Sequence, residues 1–372
     1  MGSEKPFRVL CLDGGGMRGL YQATYLSTFA SRMLAKQPES GIADVGRAFD
    51  LIVGTSTGGI VACALASGKP LGLVTDLYQR HGAKIFPWQR ARTVPVVNLV
   101  IRGMCRKNVD GDAALRSVLQ SAFGSESVGE MYQRRGIALG IPAVNLARDA
   151  PVVFKTPHLQ RLNHRDDERT LVDICMATSA APILRSIARL PEPGAPGTYA
   201  AYADGGLWAN NPAVVGVTEA GEILDERGET NQPIHLFSLG TLPAQGGELI
   251  SDRSRHRGAW GWTMGLRALE VGVNAQGDGY DYIASKVAQL LGRGSFAYRL
   301  PSQPPAASLT TLLQNMDDAR PEFLDALAQQ AVRDVDHAWS FLHQRTELQS
   351  FRDALLTTMC ANPNRGSADV SV

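Results

Sequence analysis

The stretch Phe49-Asp-Leu-Ile-Val-Gly-Thr-Ser-Thr-Gly-Gly-Ile-Val-Ala-Cys-Ala-Leu-Ala66 decides the fold class. Its first five residues form a short apolar run, typical of a β-strand buried on both faces, and residues 60–66 predict a compact buried helix. Between them lies Gly54-Thr-Ser-Thr-Gly58, a pattern that places Ser56 on a tight turn from strand to helix. Small neighbours leave room for a substrate carbonyl to reach the serine hydroxyl. Ser56 is therefore the candidate nucleophile, and a glycine turn without chemistry is the alternative.

The residues before this stretch repeat the same order of elements. Phe7-Arg-Val-Leu-Cys-Leu12 predicts a buried strand, Asp13-Gly-Gly-Gly-Met-Arg-Gly19 a loop, and residues 20–34 a helix. Two consecutive strand–loop–helix units indicate an α/β protein with a mostly parallel central sheet flanked by helices. Linkers are expected at residues 190–197 and 301–308, which are rich in proline. Further strands are predicted at residues 137–145, 151–155, 199–203, 234–239 and 296–300, and further helices at 112–123, 173–180, 212–225, 266–291 and 321–359, the last as one or two helices.

Composition limits the classes of protein that remain. The chain of 372 residues has 37 basic and 36 acidic side chains, so bulk charge gives no reason to expect a nucleic-acid polymer as partner. Its five cysteines are scattered without a C-x-x-C pair, which argues against a disulfide framework or a zinc site. Neither a signal-peptide core nor an apolar run of ~18 residues occurs. We expect a soluble cytoplasmic protein without metal or cofactor.

The glycine loop that follows the first strand predicts an anion site. Consecutive glycines let backbone N–H groups converge at a helix start, so Gly14, Gly15 and Gly16 are candidate oxyanion donors, with Arg18 holding the loop or adding positive charge. The same loop fits a dinucleotide fingerprint, which would need a carboxylate at the end of the second strand. Asp50 instead precedes that strand, which weighs against nucleotide binding at this loop.

A serine nucleophile also needs a base. A conventional triad would require a late histidine, and His337 and His343 lie in the C-terminal helical segment without a recognisable constellation. Asp204 follows the predicted strand 199–203 and precedes Gly205 and Gly206, at the end of a strand where open α/β sheets place ligands. Asp204 is the stronger candidate for the base, and a turn-capping role is its alternative.

Three blocks together resemble the patatin-like phospholipase family: Asp13-Gly-Gly-Gly-Met-Arg-Gly19, Gly54-Thr-Ser-Thr-Gly58 and Asp204-Gly-Gly206. Ala177-Thr-Ser-Ala-Ala-Pro182 and Asn210-Asn-Pro212 also fit the family, and the likeness covers roughly residues 7–240. No motif residue departs from the pattern. Four blocks in the same order and spacing are specific, whereas each one alone is weak.

The resemblance implies a three-layer patatin-like core at residues 1–245 and a Ser56–Asp204 dyad instead of a triad. Gly14, Gly15 and Gly16, with Arg18, would hold the oxyanion. The substrate would be a lipid ester, hydrolysed through an acyl-enzyme without a metal. A Ser-His-Asp carboxylesterase and a non-catalytic lipid- or nucleotide-binding module are the alternatives.

Residues 246–372 form a C-terminal extension that the shared blocks do not explain. Four arginines flank Trp260-Gly-Trp262, which suits a membrane-contact patch, a lid, a regulatory pocket or tryptophans packed on the core. In size and N-terminal start the chain is similar to bacterial patatin-like enzymes that cyclic oligonucleotides activate in anti-phage defence. That similarity implies a cyclic oligonucleotide activator, membrane phospholipid as substrate and peripheral contact with the inner face of the membrane. A homo-oligomer stays open.

Overall fold

The computed structural model describes residues 5–35, 44–86, 107–182, 184–242, 250–252, 255–313 and 316–359. The eight strands of the described part are β1 Phe7–Leu12, β2 Leu51–Gly54, β3 Ala138–Asn145, β4 Ala150–Lys155, β5 Ala188–Pro191, β6 Tyr199–Asp204, β7 Ile234–Leu239 and β8 Phe296–Arg299. Its α-helices are α1 Gly19–Leu34, α2 Thr57–Ala66, α3 Leu71–Ile85, α4 Lys107–Phe123, α5 Val128–Arg135, α6 Leu171–Thr178, α7 Gly206–Ala209, α8 Ala213–Glu226, α9 Leu266–Leu291, α10 Ala307–Leu313, α11 Pro321–Ser340 and α12 Thr346–Met359.

The strands form one sheet whose hydrogen-bonded neighbours follow the path β5-β6-β3-β2-β1-β7-β8, and β4 also pairs with β3. Strands β3, β2, β1, β7 and β8 are parallel, whereas β4, β5 and β6 pair antiparallel at one side. The predicted α/β class with a mostly parallel sheet is confirmed. The antiparallel side has no counterpart in the sequence analysis, because strand pairing is set by contacts distant along the chain.

The central strand β1 has helices on both of its faces. Leu10 and Leu12 belong to the larger apolar cluster, with residues of α1, α2, α3, α6, α11 and α12. Val9 and Cys11 belong to the second cluster, with residues of α8 and α9. Successive residues of a strand point to opposite faces, so two buried faces require an unbroken apolar run, as the sequence shows. The result is the expected three-layer arrangement.

The C-terminal residues complete this body. Strand β8 pairs with β7 at the sheet edge. Phe351 of α12 packs edge-on against Phe29 of α1, with ring centroids 5.1 Å apart, and also contacts Phe237 of β7. The described part of the extension therefore packs on the same core as the residues before it.

Several local predictions were incomplete. Helices α3, α5 and α10 were not predicted, and α10 begins inside the expected linker 301–308. Strand β5 ends inside the expected loop 190–197. The helical pattern at 321–359 is two helices. The helix predicted at 112–123 begins earlier, at Lys107, so Asp112 lies inside α4, where its carboxylate pairs with Arg185.

None of the helices in the described ranges combines the length and the apolar character that a membrane crossing requires.

Candidate active site

Two strand ends bring the predicted nucleophile and base together. Strand β4 occupies one edge of β3, so β2 and β6 share the other edge, where Val53 pairs with Gly140 and Asp204 pairs with Ala143. The two strands run towards each other along that edge, because β2 is parallel to β3 and β6 is antiparallel. Ser56, three residues beyond Val53, meets Asp204 there, and its Oγ donates a hydrogen bond of 2.7 Å to Asp204 Oδ2.

The turn that carries Ser56 is strained in the way a nucleophile elbow requires. Ser56 has φ 54° and ψ −122°, a left-handed backbone that a residue with a side chain rarely adopts. A Cβ atom at Gly54 would collide with the carbonyl of Gly58, which explains the small residue there. The Ser56 N–H donates to Thr178 Oγ1 at 2.8 Å, so α6 helps to hold the turn.

Asp204 is a buried carboxylate with both oxygens engaged. Its side chain accepts from Ser56 at Oδ2 and from the Gly206 N–H at Oδ1, at 2.7 Å. Burial raises the pKa of Asp204 to about 6, and the Gly206 N–H, the Ser56 hydroxyl and the charge of Arg185 oppose that rise. At neutral pH the group is therefore ionised, yet it is a stronger base than an ordinary carboxylate.

The three candidate oxyanion donors of the glycine loop have different surroundings. The Gly14 N–H donates to the carbonyl oxygen of Asn210 at 2.9 Å. Gly15 and Gly16, but not Gly14, are among the described residues that line the cavity next to Ser56. Gly16 has φ 60°, and a Cβ atom there would collide with the carbonyl of Met316. The structure therefore brings Gly15 and Gly16 to the cavity that Ser56 also lines, while the Gly14 amide anchors the loop.

Arg18 holds the loop. Its guanidinium donates to the carbonyl oxygen of Leu313 at 2.7 Å and so ties the loop to α10. Arg18 is not among the described residues lining the cavity. Of the two roles considered for this arginine, this hydrogen bond fits loop support.

A network of polar side chains holds the glycine loop through Asp13 and Asn210. Asp13, which precedes the glycines, accepts from Arg299 of β8 at 2.6 Å, and Arg299 also pairs with Asp281 of α9 at 2.9 Å. Burial raises the pKa of Asp13 to about 6, and the Arg299 guanidinium opposes this rise. The Asn210 N–H donates to Gln276 of the same helix at 2.8 Å. Arg299 and Asp281 were not among the predicted site residues, since nothing near them in the chain indicates a partner at Asp13.

The nucleophile opens into a cavity of about 450 Å³. Apolar side chains of α2, α3 and α4 form much of its wall, namely Ile60, Leu77, Ile85, Phe86 and Leu115. An apolar cavity with few polar groups at one point suits a ligand with a hydrocarbon part and one reactive group. This arrangement can accept an acyl chain and present its ester carbonyl to Ser56.

No histidine belongs to this site. All seven histidines lie in the described ranges, and none is among the residues that line the cavity. His337 contacts Gln303 at 2.7 Å, and His158 contacts Glu219 at 2.8 Å. Within the described ranges there is also no cluster of three or more metal-ligating side chains.

Comparison with known proteins agrees with this geometry. The family model for patatin-like phospholipases matches residues 10–216. A cGAMP-activated phospholipase of Vibrio cholerae is 33% identical over 278 residues, which cover 70% of this chain and 72% of the relative. Proteins of the same description from Escherichia coli (33% identity, 64% of this chain and 63% of the relative) and Pseudomonas aeruginosa (31%, 78% and 77%) are also similar. The chain belongs to the patatin-like phospholipase family and is a lipid-ester hydrolase.

Proposed function

We propose that this protein is a phospholipase of the A type, which cleaves acyl esters of membrane phospholipids with Ser56 as nucleophile and Asp204 as base. The observation that carries the proposal is the 2.7 Å hydrogen bond from Ser56 Oγ to Asp204 Oδ2, inside an apolar cavity that Gly15 and Gly16 also line. Because the cavity wall holds no histidine, the carboxylate is the group placed to accept the serine proton.

The first half of the reaction forms an acyl-enzyme. Ser56 Oγ attacks the ester carbonyl carbon while its proton moves to Asp204 Oδ2. The carbonyl oxygen becomes an oxyanion and accepts hydrogen bonds from the N–H groups of Gly15 and Gly16. The tetrahedral intermediate collapses, the bond to the alcohol oxygen breaks, and Asp204 returns the proton to the departing lysophospholipid.

The second half releases the fatty acid. Water enters where the lysophospholipid left, Asp204 accepts one of its protons, and the resulting hydroxide attacks the acyl carbonyl in the same oxyanion pocket. When Ser56 leaves, it regains its proton from Asp204. A base with a pKa of about 6 suits both directions of transfer, because it is ionised at neutral pH and is not too weak to accept a proton.

Single substitutions distinguish this dyad from a triad esterase and from a binding module without chemistry. We expect Ser56→Ala and Asp204→Ala each to lower kcat on a soluble short-chain ester and on phospholipid vesicles by at least about a hundredfold. His337→Ala should leave both rates unchanged. A large loss with His337→Ala would contradict the dyad, and a wild-type protein without esterase activity towards either substrate would favour the binding module.

We further propose that a cyclic dinucleotide activates the enzyme and that the activated protein degrades phospholipid at the inner face of the membrane in anti-phage defence. The support is the similarity to three relatives described as cGAMP-activated phospholipases, which cover 64% to 78% of this chain. The test measures vesicle hydrolysis with and without saturating cGAMP, with cGAMP binding followed by calorimetry. We expect stimulation of the wild type, and binding without turnover in Ser56→Ala. Absence of both binding and stimulation would contradict the regulatory proposal while leaving the dyad intact.

A further inference from the structure

We propose that the protein docks on an anionic phospholipid bilayer through one defined surface, which we call the docking face. It consists of Leu207, Leu269 and Met316 at the mouth of the cavity, together with Trp260 and Trp262 beside them. The proposal rests on the phospholipase function proposed above and specifies the surface and the partner that this function requires.

The cavity mouth has three exposed apolar side chains, next to the acidic residues Glu270 and Asp317, and Arg267 pairs with Glu270. Leu207, Leu269 and Met316 line the same cavity as Ser56, and yet 37%, 38% and 38% of their surfaces are exposed. They come from α7, the first turn of α9 and the residues before α11, so three separate parts of the chain converge there. Exposed apolar side chains at the entrance of a lipid-ester site can contact the acyl chains of a bilayer.

The turn that carries the tryptophans is hydrogen-bonded through its backbone to the helix that carries Leu269. Trp260 is 77% exposed and Trp262 is 38% exposed. The Arg267 N–H donates to the Trp262 carbonyl at 3.3 Å, so the tryptophan turn is bonded to the start of α9, two residues before Leu269. Tryptophan favours the boundary between lipid and water, because its ring is large and apolar while its N–H can keep a polar partner.

The first half of α9 covers little of the protein core. From Arg267 to Ile283 no described side chain is buried, and the buried positions of this helix begin at Ala284. Leu269 and Val271 are nevertheless exposed there, at 38% and 42%. Polar side chains of this segment hold it to the protein through Asn210 and Arg299, so its apolar Leu269 and Val271 stay exposed beside the substrate entrance, as is typical of an interaction site.

Charge indicates which partner covers this surface. Among the described residues of the range 251–270, three arginines (Arg255, Arg257 and Arg267) stand against Asp252 and Glu270, a net charge of +1. The Arg257 guanidinium lies 5.8 Å from the ring centroid of Trp262, so a positive charge lies next to this indole. Arginines beside an interfacial tryptophan match lipid phosphates, and an anionic bilayer attracts basic residues close to its surface.

The energetics of the substrate also require direct contact. Moving one acyl chain from the bilayer into water is strongly unfavourable, because every CH₂ group of the chain becomes exposed to water. An enzyme that waited for free phospholipid would carry that penalty in every turnover. Contact between the docking face and the membrane removes it, because the chain then passes from one apolar environment into another.

The test compares vesicle binding by Ser56→Ala protein, which cannot destroy the vesicles, with the same protein carrying Trp260→Ala and Trp262→Ala. Vesicles of equimolar phosphatidylglycerol and phosphatidylcholine are sedimented with and without cGAMP, against vesicles of phosphatidylcholine alone. We expect the double substitution to weaken binding to the anionic vesicles at least about tenfold, equivalent to ~1.4 kcal/mol. Binding of the parent protein should fall with added salt.

Tyr282→Ala is the matched control, because Tyr282 is an aromatic side chain 65% exposed on α9, outside the docking face. It should bind vesicles as the parent does. With Ser56 restored, the tryptophan variant should keep its rate on a soluble short-chain ester and its unfolding temperature while losing vesicle hydrolysis.

Several results would overturn the docking face. Undiminished vesicle binding by the tryptophan variant would do so, as would an equal loss with Tyr282→Ala. A change of oligomeric state in the tryptophan variant with vesicle binding retained would instead identify a protein interface. If the wild type bound vesicles through these tryptophans but hydrolysed no ester, the docking face would stand and the proposed catalytic function would fall.

Discussion

Replacement of Asp204 by asparagine should inactivate the enzyme and stabilise its fold. Asparagine preserves the local geometry, since its Oδ1 can accept from the Gly206 N–H and its Nδ2 can donate to Ser56 Oγ. It cannot accept the serine proton. We expect kcat on a soluble ester to fall by roughly 10²–10⁴, the usual contribution of a general base.

The gain in stability follows from the buried charge. Burial raises the pKa of Asp204 from its ordinary value of 3.8 to about 6, so ionising it in the folded protein costs more than in the unfolded chain. Two pH units correspond to about 3 kcal/mol. With an unfolding entropy of ~2.1 cal/mol/K for each residue, a chain of 372 residues should gain about 4 °C in Tm.

The sign of the effect fixes its pH dependence. Because the pKa of Asp204 is raised in the folded protein, the carboxyl group costs the wild type no stability below about pH 4, where it is protonated in both states. The wild type loses stability as the pH rises through about 6 and the buried group ionises. The difference in Tm between Asp204→Asn and wild type should therefore be near zero at pH 4 and complete at pH 8. Scanning calorimetry across that range measures it.

Ser56→Ala is the control for this prediction. It also inactivates the enzyme, but it removes a hydrogen bond that favours the ionised carboxylate, so it should give no stabilisation at pH 8. A Tm for Asp204→Asn below that of the wild type at pH 8, or a difference independent of pH, would refute the electrostatic reasoning.

Three further predictions concern the same site. The kcat/KM of the wild type on a soluble ester should rise with pH through about 6, as Asp204 becomes the free base; a stopped-flow pH profile that is flat between 5 and 7 would contradict this assignment. Gly16→Ala should lower kcat by about a hundredfold or more, because φ 60° and the space at this position both exclude a side chain; activity near that of wild type would show that the Gly16 amide is not an oxyanion donor. Arg299→Met should lower the free energy of unfolding in urea by about 2 kcal/mol and reduce kcat, since it leaves the buried Asp13 carboxylate without its cation. Arg299→Lys should restore part of both the stability and kcat. An unchanged kcat would show that the Asp13–Arg299 pair does not position the glycine loop.

Sequence patterns predicted the elements that carry the chemistry because their signals are local. The apolar run Phe7–Leu12 forms a strand buried on both faces, as its composition requires, and Ser56 lies on the turn that the glycines predict. Helix α3 escaped prediction although its buried face follows helical spacing at Leu71, Val74, Leu77 and Tyr78. It lines the cavity wall, so its side chains shape the space for the substrate.

The roles within the glycine loop depended on tertiary contacts. Three successive glycines look equivalent in sequence, yet the Asn210 carbonyl engages the amide of Gly14 and leaves Gly15 and Gly16 at the cavity. Arg18 likewise carries the charge expected of an anion site, but the Leu313 carbonyl draws its guanidinium towards α10. Both partners come from segments far along the chain, which no local pattern reveals.

The sequence by itself determined which residue types stand at the strand ends, because backbone strain and buried strands impose local rules on glycine, serine and apolar residues. Only the tertiary structure decided that Ser56 and Asp204 meet, because their contact depends on β2 and β6 sharing one edge of β3 from opposite directions. That pairing also placed the carboxylate where burial raises its pKa, and a titration shift of this kind belongs to an environment rather than to a residue.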